Sequence, residues 1–186
     1  MISNILRGLV YFVVFVLLQI LVLNHIHFLR IATPFLYLYF IVKLPVGLAP
    51  TKVIFLSFLT GLVIDMFGNT PGMHAAACTL VGFLRASLIE LFSGKEIPEA
   101  MFPSYRILGY GGFIRYMLSF VFIHHIALFL LESLTLFDPL FLLIRIVASG
   151  LMTSLLMGFV EAFNLESQNS EEYPFEIYAG KSTFRD

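Results

Sequence analysis

The chain has 186 residues, 59% of them apolar and 12% charged, with 21 phenylalanines and a formal charge of −1, whereas a soluble domain carries about 25% charged residues. These figures exclude a soluble globular protein, and the 11 basic side chains, scattered rather than gathered into a patch, exclude a nucleic-acid binder. At roughly 20 residues per membrane-crossing helix the length accommodates about six spans and leaves no room for a large soluble head or a fused enzyme domain.

Arg7 precedes an apolar run as in a secretion signal, but the run extends to Leu23 and ends in Asn24 and His25 without a small-residue cleavage pattern. It therefore reads as a retained first span, Ile5 to Leu23. Asn24 to Thr33, with His25, His27 and Arg30, closes it. Pro34 is well placed as the first residue of a second helix, a short span to Leu48 in which Lys43 is expected to snorkel towards the interface. Pro45, Gly47 and Pro50 make the next turn, Thr51 to Phe67 is the third span, and Gly68 to Gly72 is a tight connection. The fourth span is Met73 to Phe92, followed by a polar surface loop, Ser93 to Pro103, that holds Lys95, Glu96, Pro98 and Glu99. Tyr105 to Gly112 reads as a kinked lead-in to a fifth span, Phe113 to Leu134. Asp138 and Pro139 have the residue types of an N-cap and a first helical position for a sixth span ending near Phe163.

Residues 1–165 are thus expected to form an all-α, six-helix transmembrane domain, and 166–186 an acidic, flexible tail with five acids against Lys181 and Arg185 and a short docking segment at Tyr173 to Tyr178. With six spans, Arg7, Lys43, Lys52, Lys95, Arg106, Lys181 and Arg185 fall on one side and Arg30 on the other, which predicts both termini in the cytoplasm.

A charged group inside a bilayer is costly and must face protein or water, so each is a candidate for function. Ser57, Gly61 and Asp65 share one helix face; Asp65 is expected to face the bundle and to take hydrogen bonds from the following turn, at Asn69, Gly72 and Met73. Glu132 and Arg145 are expected to form a buried, structural ion pair. Arg85 and Arg115 are expected to snorkel or to pair with Glu90 and Glu161, with an anionic-ligand pocket as the sharper alternative. His74, His124 and His125 lack the ligand set of a metal centre, and no nucleophile motif, phosphate-cradling loop or zinc motif is present; no metal, cofactor or catalytic activity is expected. Gly150, Ser154, Gly158 and Ala162 are spaced by four on the sixth span, and Cys78, Gly82 and Ala86 make a similar stripe on the fourth. Such ridges let helix backbones approach closely, either within the bundle or against a partner helix.

Gln19 late in the first span, Pro34, Pro50 and then Gly61, Leu62, Asp65 and Gly72 resemble the pattern of the MreD family of rod shape-determining membrane proteins. The segment Gly61 to Ala77, GLVIDMFGNTPGMHAAA, is its most specific part, and the likeness covers Gln19 to Arg85. The resemblance implies a non-enzymatic inner-membrane subunit of the bacterial cell-elongation machinery. Such a subunit binds an MreC-like protein, is linked through it to the wall synthases and to MreB filaments, and has a helix arrangement similar to substrate-binding subunits of energy-coupling-factor transporters. The acidic tail is not part of that pattern. The competing expectation is a vitamin-binding transporter subunit using an outer layer of Asp65, His74, Glu132 and Arg145.

Overall fold

The computed structural model describes residues 2–23, 32–94, 97, 101–133 and 138–170, without the side chains of 2–9, 11 and 164–170. His25, His27, Arg30, Lys95, Glu96, Pro98, Glu99, the Tyr173 to Tyr178 segment, Lys181, Arg185 and the side chain of Arg7 lie outside the described residues.

The architecture is all-α. Four helices are long and apolar enough to cross a membrane, as in a multi-pass membrane protein: α3 (Pro50–Gly68), α4 (Met73–Ser93), α5 (Tyr105–Glu132) and α6 (Pro139–Ser170), the last through its part Pro139–Phe163. They are preceded by α1 (Ile2–Leu21) and a helix of only five residues, α2 (Leu38–Val42). Helix α6 continues past the expected domain edge at residue 165 as far as Ser170.

The expected second span is therefore not a helix of membrane length. Pro34 stands in a non-helical stretch, and α2 begins only after a turn at Leu36 and Tyr37. The apolar run from Pro34 to Leu48 falls short of the roughly 20 residues a helical crossing needs, and Pro45 and Gly47 (φ 84°) end it. Instead, every residue from Pro34 to Leu44 is buried inside the bundle. Irregular backbone at such depth is tolerated only where protein groups satisfy its N–H and C=O, and the flanking helices supply them, as described below.

The segment runs antiparallel to α1, with Phe15 packing on Tyr39 (4.9 Å) and Phe12 on Phe40 (5.2 Å). It runs parallel to α6, because Thr33 meets Ser149 while Tyr39 meets Glu161. The start of α1 and the end of α6 accordingly lie at the same end of the bundle as Lys43.

Helices α3 and α4 form a hairpin with backbone-to-backbone contact. A Cβ added at Gly61 would lie 2.5 Å from Ala75 Cα, and one at Gly82 would lie 2.7 Å from Ser57 Cβ. The turn between them is set by Asn69, in the left-handed region at φ 52°, whose N–H returns to the Asp65 carbonyl. Gly109 (φ 71°) breaks the geometry of α5 and separates a short lead-in from the long helix that follows. At the start of α6, Asp138 Oδ1 accepts from the backbone N–H of Leu140 and Phe141, both at 3.1 Å, which satisfies two donors left open by the helix terminus.

Candidate functional site: the polar core

The buried polar side chains gather along the irregular segment. At its start, Ser149 Oγ accepts from Thr33 N (3.0 Å) and Thr153 Oγ1 from Phe35 N (3.0 Å). Gln19 closes the other side: its Nε2 donates to the Pro34 carbonyl at 2.9 Å and its Oε1 accepts from Leu36 N at 2.8 Å. One amide side chain thus serves as the missing neighbour for a backbone stretch that has no helix or sheet partner.

Beyond this clamp, Tyr37 lies between two imidazoles, with its hydroxyl 2.8 Å from His74 Nδ1 and 3.0 Å from His124 Nε2. The hydroxyl has one proton, so it donates to one ring nitrogen and accepts from the N–H of the other. His124 Nδ1 is buried with no partner, and Cys78 Sγ is 3.8 Å from His124 Nε2. His125 is held by the Val121 carbonyl and by Thr153, at 2.8 and 3.2 Å. The three histidines and Phe35 pack edge-on or tilted, 5.2 to 6.0 Å between the Phe35 ring and each imidazole. Among the described residues no group of three or more His, Cys, Asp or Glu side chains could hold a metal ion.

At the far end, Lys43 does not snorkel. It is 3% exposed, and its ammonium donates to Glu161 Oε1 and Oε2 (3.1 and 3.0 Å) and to the Pro103 carbonyl (2.7 Å). Tyr39 donates to the same Glu161 at 2.5 Å. Glu161 is thus the partner of Lys43 rather than of an arginine, because α6 runs alongside the segment and places its acid there.

Arg85 takes neither expected role. Its guanidinium donates to the carbonyls of Ile41 (3.0 Å), Val42 and Leu44, and Tyr116 adds a bond to Val42 (3.2 Å). These carbonyls end α2, where the helix dipole is negative, so Arg85 stabilises the C-terminus of a helix too short to stand alone. Among the described residues Arg115 forms no acid pair either: it is exposed, returns to the Gly111 carbonyl of its own helix, 2.9 Å away, and lies 6.0 Å from the Phe92 ring centroid.

Asp65 caps α4. Its Oδ1 accepts from the Thr70 hydroxyl (2.8 Å) and His74 N (3.0 Å), and its Oδ2 from Ala75 N (2.9 Å). The donors differ from Asn69, Gly72 and Met73 because the left-handed residues Asn69 and Gly72 turn the chain so that the next two amides of α4, one residue further on, face the carboxylate. Asp65→Asn replaces one acceptor by an NH2 facing an N–H, and is expected to cost about 1–3 kcal/mol. Thermal unfolding in detergent checks this; a midpoint equal to the parent's would remove the capping role.

Glu132 and Arg145 are joined by three hydrogen bonds of 3.0 Å. The pair is not buried, since the side chains retain 44% and 25% of their exposure, and Arg145 lies over the Phe129 ring, 4.5 Å from its centroid. Neither of the two described cavities is lined by Asp65, His74, Glu132 or Arg145.

The α6 stripe divides in two. Gly150 packs against the Phe122 ring of α5, and Ser154 is buried with its hydroxyl on the Gly150 carbonyl (2.7 Å). Around Gly158 an added Cβ would meet nothing within 4 Å, and Ala162 is exposed. The stripe on α4 is likewise mixed, with Cys78 and Gly82 buried and Ala86 exposed.

Gln19 was singled out through the resemblance, whereas the buried roles of Lys43, Tyr37, Ser149, Thr153 and Glu161 along the segment were not legible. The sequence signal for these contacts is that polar residues recur on α1 and α6 at the depth of an apolar run too short to span. No protein-family model, curated protein or solved structure matches this chain.

Proposed function

We propose that the chain is a non-enzymatic membrane subunit of the MreD kind, acting in the bacterial inner membrane by binding the transmembrane helix of an MreC-like protein. Through that protein it would join the wall synthases and MreB filaments of the elongation complex, with both of its own termini cytoplasmic. The observation that supports this reading is the convergence of the motif residues on one construction. Gln19 clamps the backbone at Pro34, Gly61 brings α3 onto α4, and Asp65 caps α4 through the turn at Gly72. Gln19, Pro34, Gly61, Asp65 and Gly72, among the residues that carry the resemblance, are ones this irregular bundle uses.

Apart from His124 Nδ1, the polar side chains of the core are engaged with one another and with backbone, which leaves apolar helix faces as the available binding surface. On α6 the notch at Gly158 is flanked by exposed Leu155 and Phe159, and small residues of this sort admit a neighbouring helix. Gly158→Leu is the test, because a Cβ at this position meets nothing within 4 Å and folding should be unchanged. Copurification of the MreC-like protein from native membranes is expected to fall about tenfold, the loss of roughly 1.4 kcal/mol of helix packing. Undiminished copurification would sink the α6 notch, and recovery of a coupling ATPase with a bound vitamin would sink the shape-determining reading itself.

A further inference from the structure

We propose that the seam between α3 and α4 is a binding site for a glycerophospholipid with an amine-bearing headgroup. The inference stands on cavities and charges at that seam and does not depend on the shape-determining reading.

A cavity of about 380 Å³ lies where α4 ends and α3 begins. Arg85, Glu90 and Ser93 give it polar groups, and Val53, Phe83 and Ile89 give it apolar walls. Arg85 is 3% exposed, and among the described residues it forms no ion pair. The three carbonyls on its Nε and Nη2 solvate the guanidinium but do not neutralise it, and its Nη1 takes none of those bonds. A cation so placed without a counter-ion is costly, and an anionic group in the cavity relieves that cost.

Glu90 lines the same cavity five residues further along α4, about 7.5 Å nearer the helix end at 1.5 Å per residue. It is exposed and, among the described residues, also unpaired. The complementary ligand therefore has its negative group deeper and a positive group further out, as in an aminoethyl phosphate headgroup. The volume, near the lower end of the 300–1,000 Å³ typical of ligand pockets, suits a headgroup with its glycerol rather than a whole lipid.

The hydrocarbon has its own place. A second, open groove of about 830 Å³ runs along the same two helices and shares Phe83 with the first cavity. Ile54, Phe58, Leu62 and Leu80 form its sides and Ala76 its small-residue floor. From Phe83 to Gly72 the groove follows eleven residues of α4, about 16 Å, roughly half of the ~30 Å hydrocarbon core. Phe83 is the midpoint of α4, so the groove occupies the half of the helix beyond the headgroup cavity, and an acyl chain entering at Phe83 matches its length.

The full chain is placed in nanodiscs of equal phosphatidylethanolamine and phosphatidylglycerol, and the retained lipids are read by native mass spectrometry after mild release. Phosphatidylethanolamine is expected to be retained in preference. Glu90→Gln is expected to reduce that preference about tenfold, the value of one charge-assisted contact, without lowering the unfolding midpoint. Ala76→Phe, which fills an exposed part of the groove, is expected to remove the retained lipid of both classes. Soluble glycerophosphoethanolamine is expected not to displace the lipid, which separates a lipid from a free phosphoamine. Parent protein without preference, variants with the parent's lipid complement, or displacement by the soluble headgroup would each overturn the proposal.

Discussion

Glu161→Ala is expected to destabilise the bundle by about 3–5 kcal/mol, the range for removing one partner of a buried ion pair. The reason is what remains behind. Lys43 is 3% exposed, and without Glu161 its ammonium loses a carboxylate 3.0 Å away that the Pro103 carbonyl does not replace. Tyr39, fully buried, loses its acceptor at the same time. The loss should be larger than that from Glu132→Ala, whose partner Arg145 keeps its place over Phe129 and a partly solvated edge. The double variant Lys43→Met with Glu161→Leu removes both charges together and should recover most of the stability, since a buried pair replaced by apolar groups of similar volume is often neutral or better. Unfolding by titration with a denaturing detergent measures the three variants against the parent. A Glu161→Ala variant as stable as the parent, or a double variant no better than the single one, would show that the pair does not hold α6 to the segment. Because the comparison uses recovery, it remains decisive even where the single variant yields little folded protein.

The long helices were legible because their signals are local. Apolar length marks α3 to α6, Pro139 stands at a first helical position, Asp138 caps α6, and the glycines ahead of Phe113 foretell the break at Gly109, while Pro50, expected in the turn, opens α3. Asp65 as an acceptor for the following turn was also readable, since a carboxylate three residues before a Gly–Asn–Thr–Pro–Gly connection has backbone donors nearby. The segment after Pro34 was not legible for a physical reason. An apolar run buried on all sides has the same composition whether it forms a lipid-facing helix or an irregular strand inside protein, and hydrophobic periodicity does not separate the two. What decides is whether distant side chains supply partners for its backbone. Those partners are Gln19, Ser149, Thr153 and Arg85, as many as 118 residues away in the chain. Lys43 looked like an interfacial lysine because its acid, on α6, is equally remote.

Gln19→Leu should expose how much the bundle depends on that remote supply. The substitution keeps the side chain's approximate size but leaves the Pro34 carbonyl and the Leu36 N–H without partners, both of them buried. Each orphaned group costs about 1–3 kcal/mol, and neither can turn to water or lipid for a substitute. The expected result is a local loosening of residues 33–37 rather than global collapse, because α3, α4 and α5 pack on one another through Gly61, Gly82 and Gly112 independently of Gln19. The chain contains its own reporter of such loosening: Cys78, the single cysteine, is fully buried near His124 behind this segment. Its labelling by a membrane-permeant maleimide should accelerate at least about tenfold in Gln19→Leu, the equivalent of roughly 1.4 kcal/mol of opening free energy. Ser149→Ala, which removes only the acceptor for Thr33 N, should accelerate labelling by less. A Cys78 labelling rate unchanged by Gln19→Leu would mean that the buried backbone is held by packing of Phe35 and its neighbours alone. The polar clamp would then be dispensable to the architecture, and the convergence of the motif residues on it would lose its structural reason.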